Sequence, residues 1–305
     1  RGVHEPDDYN EQIVNDALQQ LQEYVNVKDN KGSADVTINS EVKPNVIFLQ
    51  LESFMDPNYL LNFEYSENPA PFYSSLREKY PHGKLKVPTF GAGTANVEFE
   101  IMTGLNLNFF GPGEYPYMTV MADQTTETIG YTLGNNGYFS TIIHNNRASF
   151  YDRDNVFANM GYDRYVSSEF MIDLEYTPVG WIKDKCLTYE IMKALNSSDG
   201  SDFIYTISVQ PHGQYIPDLT DVDIHVEIES SKKDYDESLI NSYTYYINQI
   251  YEVDMFLKEL VAELEKDIND GIQKMNALIG QADGFQNTND TMTCIHHKAN
   301  VMFNI

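Results

Sequence analysis

A threonine, a glutamate, two histidines and an arginine occupy the positions in this sequence where hydroxyl, carboxylate and cationic chemistry would be most useful. Thr94 follows Gly91-Ala92-Gly93 and precedes Val97, Phe99, Ile101, Met102 and Leu105 at helical spacing. Two glycines flanking an alanine let backbone approach a bound group closely. A helix starting near Thr94 would aim free N–H groups and its positive dipole end at whatever the threonine touches, which suits an anion such as a phosphoryl group. Thr94 is then either an N-cap or a nucleophile. A threonine hydroxyl attacks only if a base or a metal activates it, and His82 is the one histidine near it in sequence, so a metal is the simpler activator. Glu52, closing "NVIFLQLE", would be a hard oxygen ligand for that metal or a carboxylate capping the next turn.

The stretch "IIHNNRASFYDRDNVFANMGYDRYV" crowds His144, Asn146, Arg147, Tyr151 and Arg153 just after an apolar run. Those side chains can hydrogen-bond and neutralise phosphate oxygens, although a single arginine is more often a solvating surface group. His212, in "SVQPHGQY", would position or protonate a departing oxygen, or simply be a hydrogen-bonded loop residue.

The elements that must position these groups read as alternating strands and helices. "NVIFL", "YFSTIIH" (138–144) and "DFIYTISVQPH" (202–212) are short apolar runs with polar ends, and helical patterns lie between them. This grammar predicts an α/β fold with a mostly parallel central sheet covered by helices, in which ligands bind at the carboxyl ends of the strands. Glu52, His144 and His212 sit at such ends. From Glu237 to Lys266 a broad apolar stripe predicts one long covering helix, and residues 1–42 predict a helical lead-in and a polar linker.

The 305 residues carry 46 acidic and 20 basic side chains, a formal charge of -26 that opposes a grip on nucleic acid or on an anionic membrane surface. No apolar run approaches the ~18 residues of a membrane span. Cys186 and Cys294 lie far apart, without zinc or disulfide spacing. A start at Arg1 rather than Met reads as a piece of something longer, which leaves room for a signal or an anchor upstream.

The ordered motifs "NVIFLQLESF", "FGAGTANVEFEIMTGL", "IIHNNRASFYDRDNVFANMGYDRYV", "VGWIKDKCLTYEIMKAL" and "YTISVQPHGQY" resemble the extracellular catalytic domain of the lipoteichoic acid synthase and phosphoglycerol transferase family. That family is a sulfatase-like branch of the alkaline phosphatase superfamily, and the resemblance spans roughly Lys43 to Lys266. It implies a catalytic domain over 43–266 and a metal-dependent enzyme whose threonine, matched by Thr94, attacks a phosphatidylglycerol-like lipid. The covalent glycerophosphoryl group then passes to a glycerophosphate polymer acceptor. It also implies one Mn2+ or Mg2+ ion on Glu52 and Thr94, and substrate contacts from His144, Asn146, Tyr151, Arg153 and His212. Tyr151 replaces a common tryptophan and Asn146 a common aspartate. An extracytoplasmic, membrane-anchored location follows from the same resemblance.

One departure stands out. Family members follow the long helix with a strand ending in Gly-Asp-His, which completes the metal shell. Here residues 267–305 read as an atypical, altered or truncated tail with no apolar strand. Asp283, Asp290, His296 and His297 are the nearby substitutes, but adjacent histidines in extended chain point in opposite directions. Two further readings therefore stand beside the transferase: a phosphodiesterase or sulfatase acting on another anionic ester, and a non-catalytic binding domain with an incomplete metal site.

Overall fold

The computed structural model describes residues 43–89, 93–281 and 299–304, together with the helical positions Gln12, Asn15, Asp16 and Gln19. Gly91, Ala92, Asp283, Asp290, His296, His297 and most of the expected lead-in helix lie outside the described residues.

In chain order the principal elements are β1 (Asn45–Gln50), β2 (Phe63–Tyr65), α1 (Pro71–Lys79), α2 (Thr94–Thr103), α3 (Ile129–Gly134), β3 (Tyr138–His144), α4 (Arg153–Asn159), β4 (Arg164–Ser167), α5 (Cys186–Leu195), β5 (Ser201–Ile207), β6 (Ile228–Ser231), α6 (Glu237–Gln281) and β7 (Ala299–Asn304). Five strands form one parallel sheet in the order β4-β3-β5-β1-β7. β2 and β6 pair antiparallel outside it.

Alternate residues of the central strands feed two cores, as a sheet buried on both faces requires. Ile47, Leu49, Ile143 and Ile204 pack with Leu187 and Ile191 of α5 and with Ile247, Ile250, Phe256, Leu257 and Leu260 of α6. Ile142, Phe203, Tyr205 and Ile207 face the opposite way, onto Ala95, Phe99 and Met102 of α2 and Val156 and Phe157 of α4. The apolar stripe read from the sequence is thus the surface α6 buries. Truncating one of its leucines to alanine costs about 2–5 kcal/mol at sites of this kind.

The strand register aligns the carboxyl edge. Ser167, His144, Ile207, Gln50 and Asn304 form one row across all five strands. Loops leaving that row carry Glu52, Ser208 and His212, so the parallel sheet itself gathers the chemistry at one edge.

The tail departs from the sequence expectation. The apolar pattern predicts no strand after Lys266, yet Ala299–Asn304 pairs in parallel with β1. Its apolar stretch, Val301-Met302-Phe303, is only three residues long and lies between asparagines, too short to register as a strand by pattern. The long helix also continues past Lys266 to Gln281.

Candidate active site

Gly93 is the N-cap of α2, in the left-handed region with φ 86°. A Cβ there would stand 3.2 Å from Thr89 Cγ2 and 3.3 Å from the Tyr115 hydroxyl, so glycine is required for both conformation and space. Thr94 is therefore the first helical residue and not the cap. Its hydroxyl, freed from capping, donates a hydrogen bond to Glu52 Oε1.

Glu52 lies two residues beyond β1. Its backbone N–H donates to Ser208 Oγ at 3.1 Å, tying the β1 loop to the β5 loop. Ser53 follows with φ 55°, and Tyr246 of α6 clamps this bend by accepting from Met55 N–H at 3.0 Å and donating to Ser53 O at 2.9 Å. Burial raises the Glu52 pKa above its ordinary value, against the opposing pull of the Thr94 hydrogen bond, His212 and Arg153.

His212 Nε2 stands 3.7 Å from Glu52 Oε1. Its Nδ1 faces the Gly213 carbonyl at 2.8 Å, so Nδ1 holds a proton and Nε2 is the nitrogen turned to the site. The Trp181 ring packs on the imidazole with centroids 4.5 Å apart, and its indole N–H donates to Gly213 O at 2.9 Å. Buried Asp184 holds the approach to this loop, accepting from Val209 N–H at 3.0 Å, Gln210 N–H at 3.1 Å and Asn145 Nδ2 at 2.8 Å.

His144 is fully buried at the end of β3. Its Nδ1 donates to Ile207 O at 2.9 Å, and Nε2 has no hydrogen-bond partner among the described residues. Burial, reinforced by the nearby Arg153 charge, pushes its pKa well below the usual histidine range. The ring is therefore neutral, with an acceptor lone pair at Nε2.

Arg153 begins α4 and is also buried. Its Nε donates to Glu98 Oε2 at 3.1 Å, one Nη donates to Glu98 Oε1 at 2.5 Å, and the other donates to Phe150 O at 3.2 Å. Tyr151 lies 5.2 Å from the guanidinium and stacks on Tyr115, and its phenol is pushed up to about 12, chiefly by burial. Asn146 sits in the turn after β3, where its Oδ1 accepts from Arg147 N–H at 2.8 Å.

Glu52, Thr94 and His212 are thus in direct proximity. Arg153 is within electrostatic reach of Glu52 and of His144. No described bond links Asn146 to this group, and Arg147 is exposed. Sequence reasoning passed over Glu98, Asp184 and Trp181. Glu98 carried a signal, since it lies one helical turn after Thr94.

Glu52 and Thr94 offer two hard oxygen donors of the type Mn2+ or Mg2+ prefers. Among the described residues no three His, Cys, Asp or Glu side chains converge as a metal cage. The described donors fit part of a divalent shell and do not complete one.

A family model described as Sulfatase matches residues 44–271. The chain belongs to the sulfatase family. A Rhizobium meliloti protein named putative cyclic beta-1,2-glucan modification protein is 32% identical over 173 residues, covering 57% of this chain and 26% of that relative. Lipoteichoic acid synthase 1 of Bacillus subtilis is 25% identical over 229 residues, covering 71% of this chain and 33% of that protein. The chain therefore spans roughly a quarter to a third of these relatives. Among solved structures, Streptococcus pyogenes phosphoglycerol transferase GacH in complex with sn-glycerol-1-phosphate superposes with a TM-score of 0.72 at 19% identity, covering 87% of this chain and 68% of that one. That likeness shows a shared fold, a parallel central sheet covered by helices, for this sulfatase-family domain. Among the described residues, no helix is long and apolar enough to cross a membrane.

Proposed function

We propose that this domain transfers phosphoglycerol from a phosphatidylglycerol-like lipid to an acceptor hydroxyl on the outer side of a bacterial membrane, with Thr94 as nucleophile. The observation that carries the reading is the Thr94 hydroxyl at the N-terminus of α2, donating to a largely buried carboxylate whose pKa is raised. Such a carboxylate takes up a proton more readily than an exposed one.

In the first half-reaction Thr94 Oγ attacks phosphorus, the bond from phosphorus to the diacylglycerol oxygen breaks, and the threonine proton passes to Glu52. His212 Nε2 gives a proton to the departing alkoxide. The N-terminal N–H groups of α2 and the Arg153 guanidinium oppose charge on the phosphoryl oxygens. The neutral Nε2 of His144 accepts from a glycerol hydroxyl. In the second half-reaction the acceptor hydroxyl gives its proton to His212 Nε2 and attacks phosphorus, the bond from phosphorus to Thr94 Oγ breaks, and the proton on Glu52 returns to the threonine oxygen. A divalent ion, Mn2+ or Mg2+, held in part by Glu52 and Thr94, would supply further positive charge at the phosphoryl group.

The family resemblance favours a glycerophosphate polymer as acceptor. A neutral glucan is a second reading, favoured by the formal charge of -26, which repels a polyanionic chain, and by the name of the Rhizobium relative. Radiolabelled glycerophosphate retained on the wild-type protein and absent from Thr94→Ala supports the transferase. Labelling that survives this substitution rules out Thr94 as its carrier. Competition between a glycerophosphate oligomer and a neutral β-glucan for release of the label separates the two acceptors.

A further inference from the structure

We propose that Glu98 is a positioning residue that fixes the Arg153 fork beside Thr94, an inference that rests on the transferase reading. Glu98 lies four residues after Thr94 on α2, so both side chains leave the same face of one helix. It is fully buried, and its two carboxylate oxygens take Nε and one Nη of Arg153. A bidentate pair fixes the plane of a guanidinium as well as its position.

Arginine has five N–H groups. Glu98 and the Phe150 carbonyl engage three of them. Two have no acceptor among the described residues and are left for a ligand, in a plane the carboxylate dictates. The chain before Arg153 adds a second constraint, since Tyr151 and Asp152 both adopt left-handed backbone with φ 60° and 57°. Consecutive non-glycine residues in that region persist only where the surroundings enforce them, and such conformations concentrate at functional sites. The Phe150 and Tyr151 rings flank the guanidinium at 5.7 and 5.2 Å.

The consequence is mechanical and electrostatic together. The nucleophile and the arginine's anchor ride on one helix turn, so the spacing between attacking oxygen and phosphoryl-binding cation is set within α2. The Glu98 charge also offsets that of Arg153, which limits how tightly the site holds a ground-state phosphodiester. Interactions that are stronger in the transition state than in the ground state raise kcat.

The test compares wild type, Glu98→Gln, Glu98→Asp, Arg153→Gln and the double variant Glu98→Gln/Arg153→Gln. Each is assayed on a phosphatidylglycerol analogue and for binding of sn-glycerol-1-phosphate by calorimetry. Glu98→Gln keeps the side-chain shape and lowers kcat by about 10- to 100-fold, with KM and the glycerol phosphate Kd unchanged or lower. Glu98→Asp, which restores the charge, recovers part of kcat. The double variant, which leaves no buried charge unpaired, is no slower than Arg153→Gln alone, because Glu98 acts only through Arg153.

Wild-type kcat and Kd in Glu98→Gln with only a lower Tm would show a merely structural ion pair and overturn the inference. So would a double variant much slower than Arg153→Gln. If wild type shows no turnover the transferase reading falls instead. The calorimetric arm then decides alone, with a lower Kd in Glu98→Gln supporting the positioning role and an unchanged or weaker Kd opposing it.

Discussion

The Thr94 hydroxyl donates to Glu52 Oε1 across the gap between the first turn of α2 and the loop leaving β1. The partners are 42 residues apart in sequence. Two independent devices hold them in place: the left-handed Gly93 cap on one side, and the Ser208 and Tyr246 hydrogen bonds around Glu52 on the other.

Glu52→Gln keeps the size of the side chain and removes its charge. Burial disfavours the carboxylate, so the neutral amide relieves a strain that the folded wild type carries at neutral pH. The expected outcome is a Tm equal to or above wild type together with a loss of turnover of about 1,000-fold, a trade of activity for stability. Turnover within threefold of wild type would remove Glu52 from the chemistry.

Metal content discriminates between a working centre and a partial one. Purification in manganese followed by elemental analysis is expected to give about one ion per chain for wild type and a clear loss in Glu52→Gln. An ion that persists in the variant would place the metal elsewhere. Absence of metal from wild type would favour the binding-domain reading over the enzyme.

Gly93→Ala tests the turn before Thr94. The new methyl group would be strained at φ 86° and would crowd Thr89 and the Tyr115 hydroxyl. A destabilisation of about 1–2 kcal/mol is expected from the left-handed backbone. The displaced first turn of α2 would also break the Thr94–Glu52 hydrogen bond and reduce turnover at least tenfold. Chemical unfolding and the labelling assay read the two effects separately. Wild-type values in both would mean that the turn tolerates a side chain.

The sheet and the candidate site at its carboxyl edge were legible because both follow from local pattern. Short apolar runs with polar ends marked β3 from Tyr138 to His144, and the glycine-threonine junction marked the start of α2. Legibility failed where a role depends on a partner distant in the chain. Arg153 reads either as a phosphate-binding group or as a solvating arginine, and its commitment to Glu98, 55 residues away, has no local sequence signature. Asp184 holds the His212 loop through backbone N–H groups, which any sequence possesses. β7 is recognisable as a strand only because it completes the pairing of β1.

Asp184 also yields the pH dependence. Burial pushes its pKa up to about 6, and burial likewise raises Asp254 to about 6, where it accepts from Phe72 and Tyr73 N–H at the start of α1. A folded-state pKa above the unfolded value of about 3.9 means that the folded protein binds the proton more tightly. The stabilisation from protonation is complete below about pH 4 and is lost as pH rises through about 6. Stability from these two sites is therefore expected to increase when pH falls from 7 to 5, opposite to the common acid response. Asp184→Asn isolates the effect. Its amide oxygen keeps the bonds from Val209 and Gln210 N–H, and no charge remains to be desolvated. The variant is expected to unfold at higher urea than wild type at pH 7 and to show a smaller change between pH 7 and pH 5. Equal urea midpoints for the two proteins at both pH values would show that Asp184 has no raised pKa in the folded state.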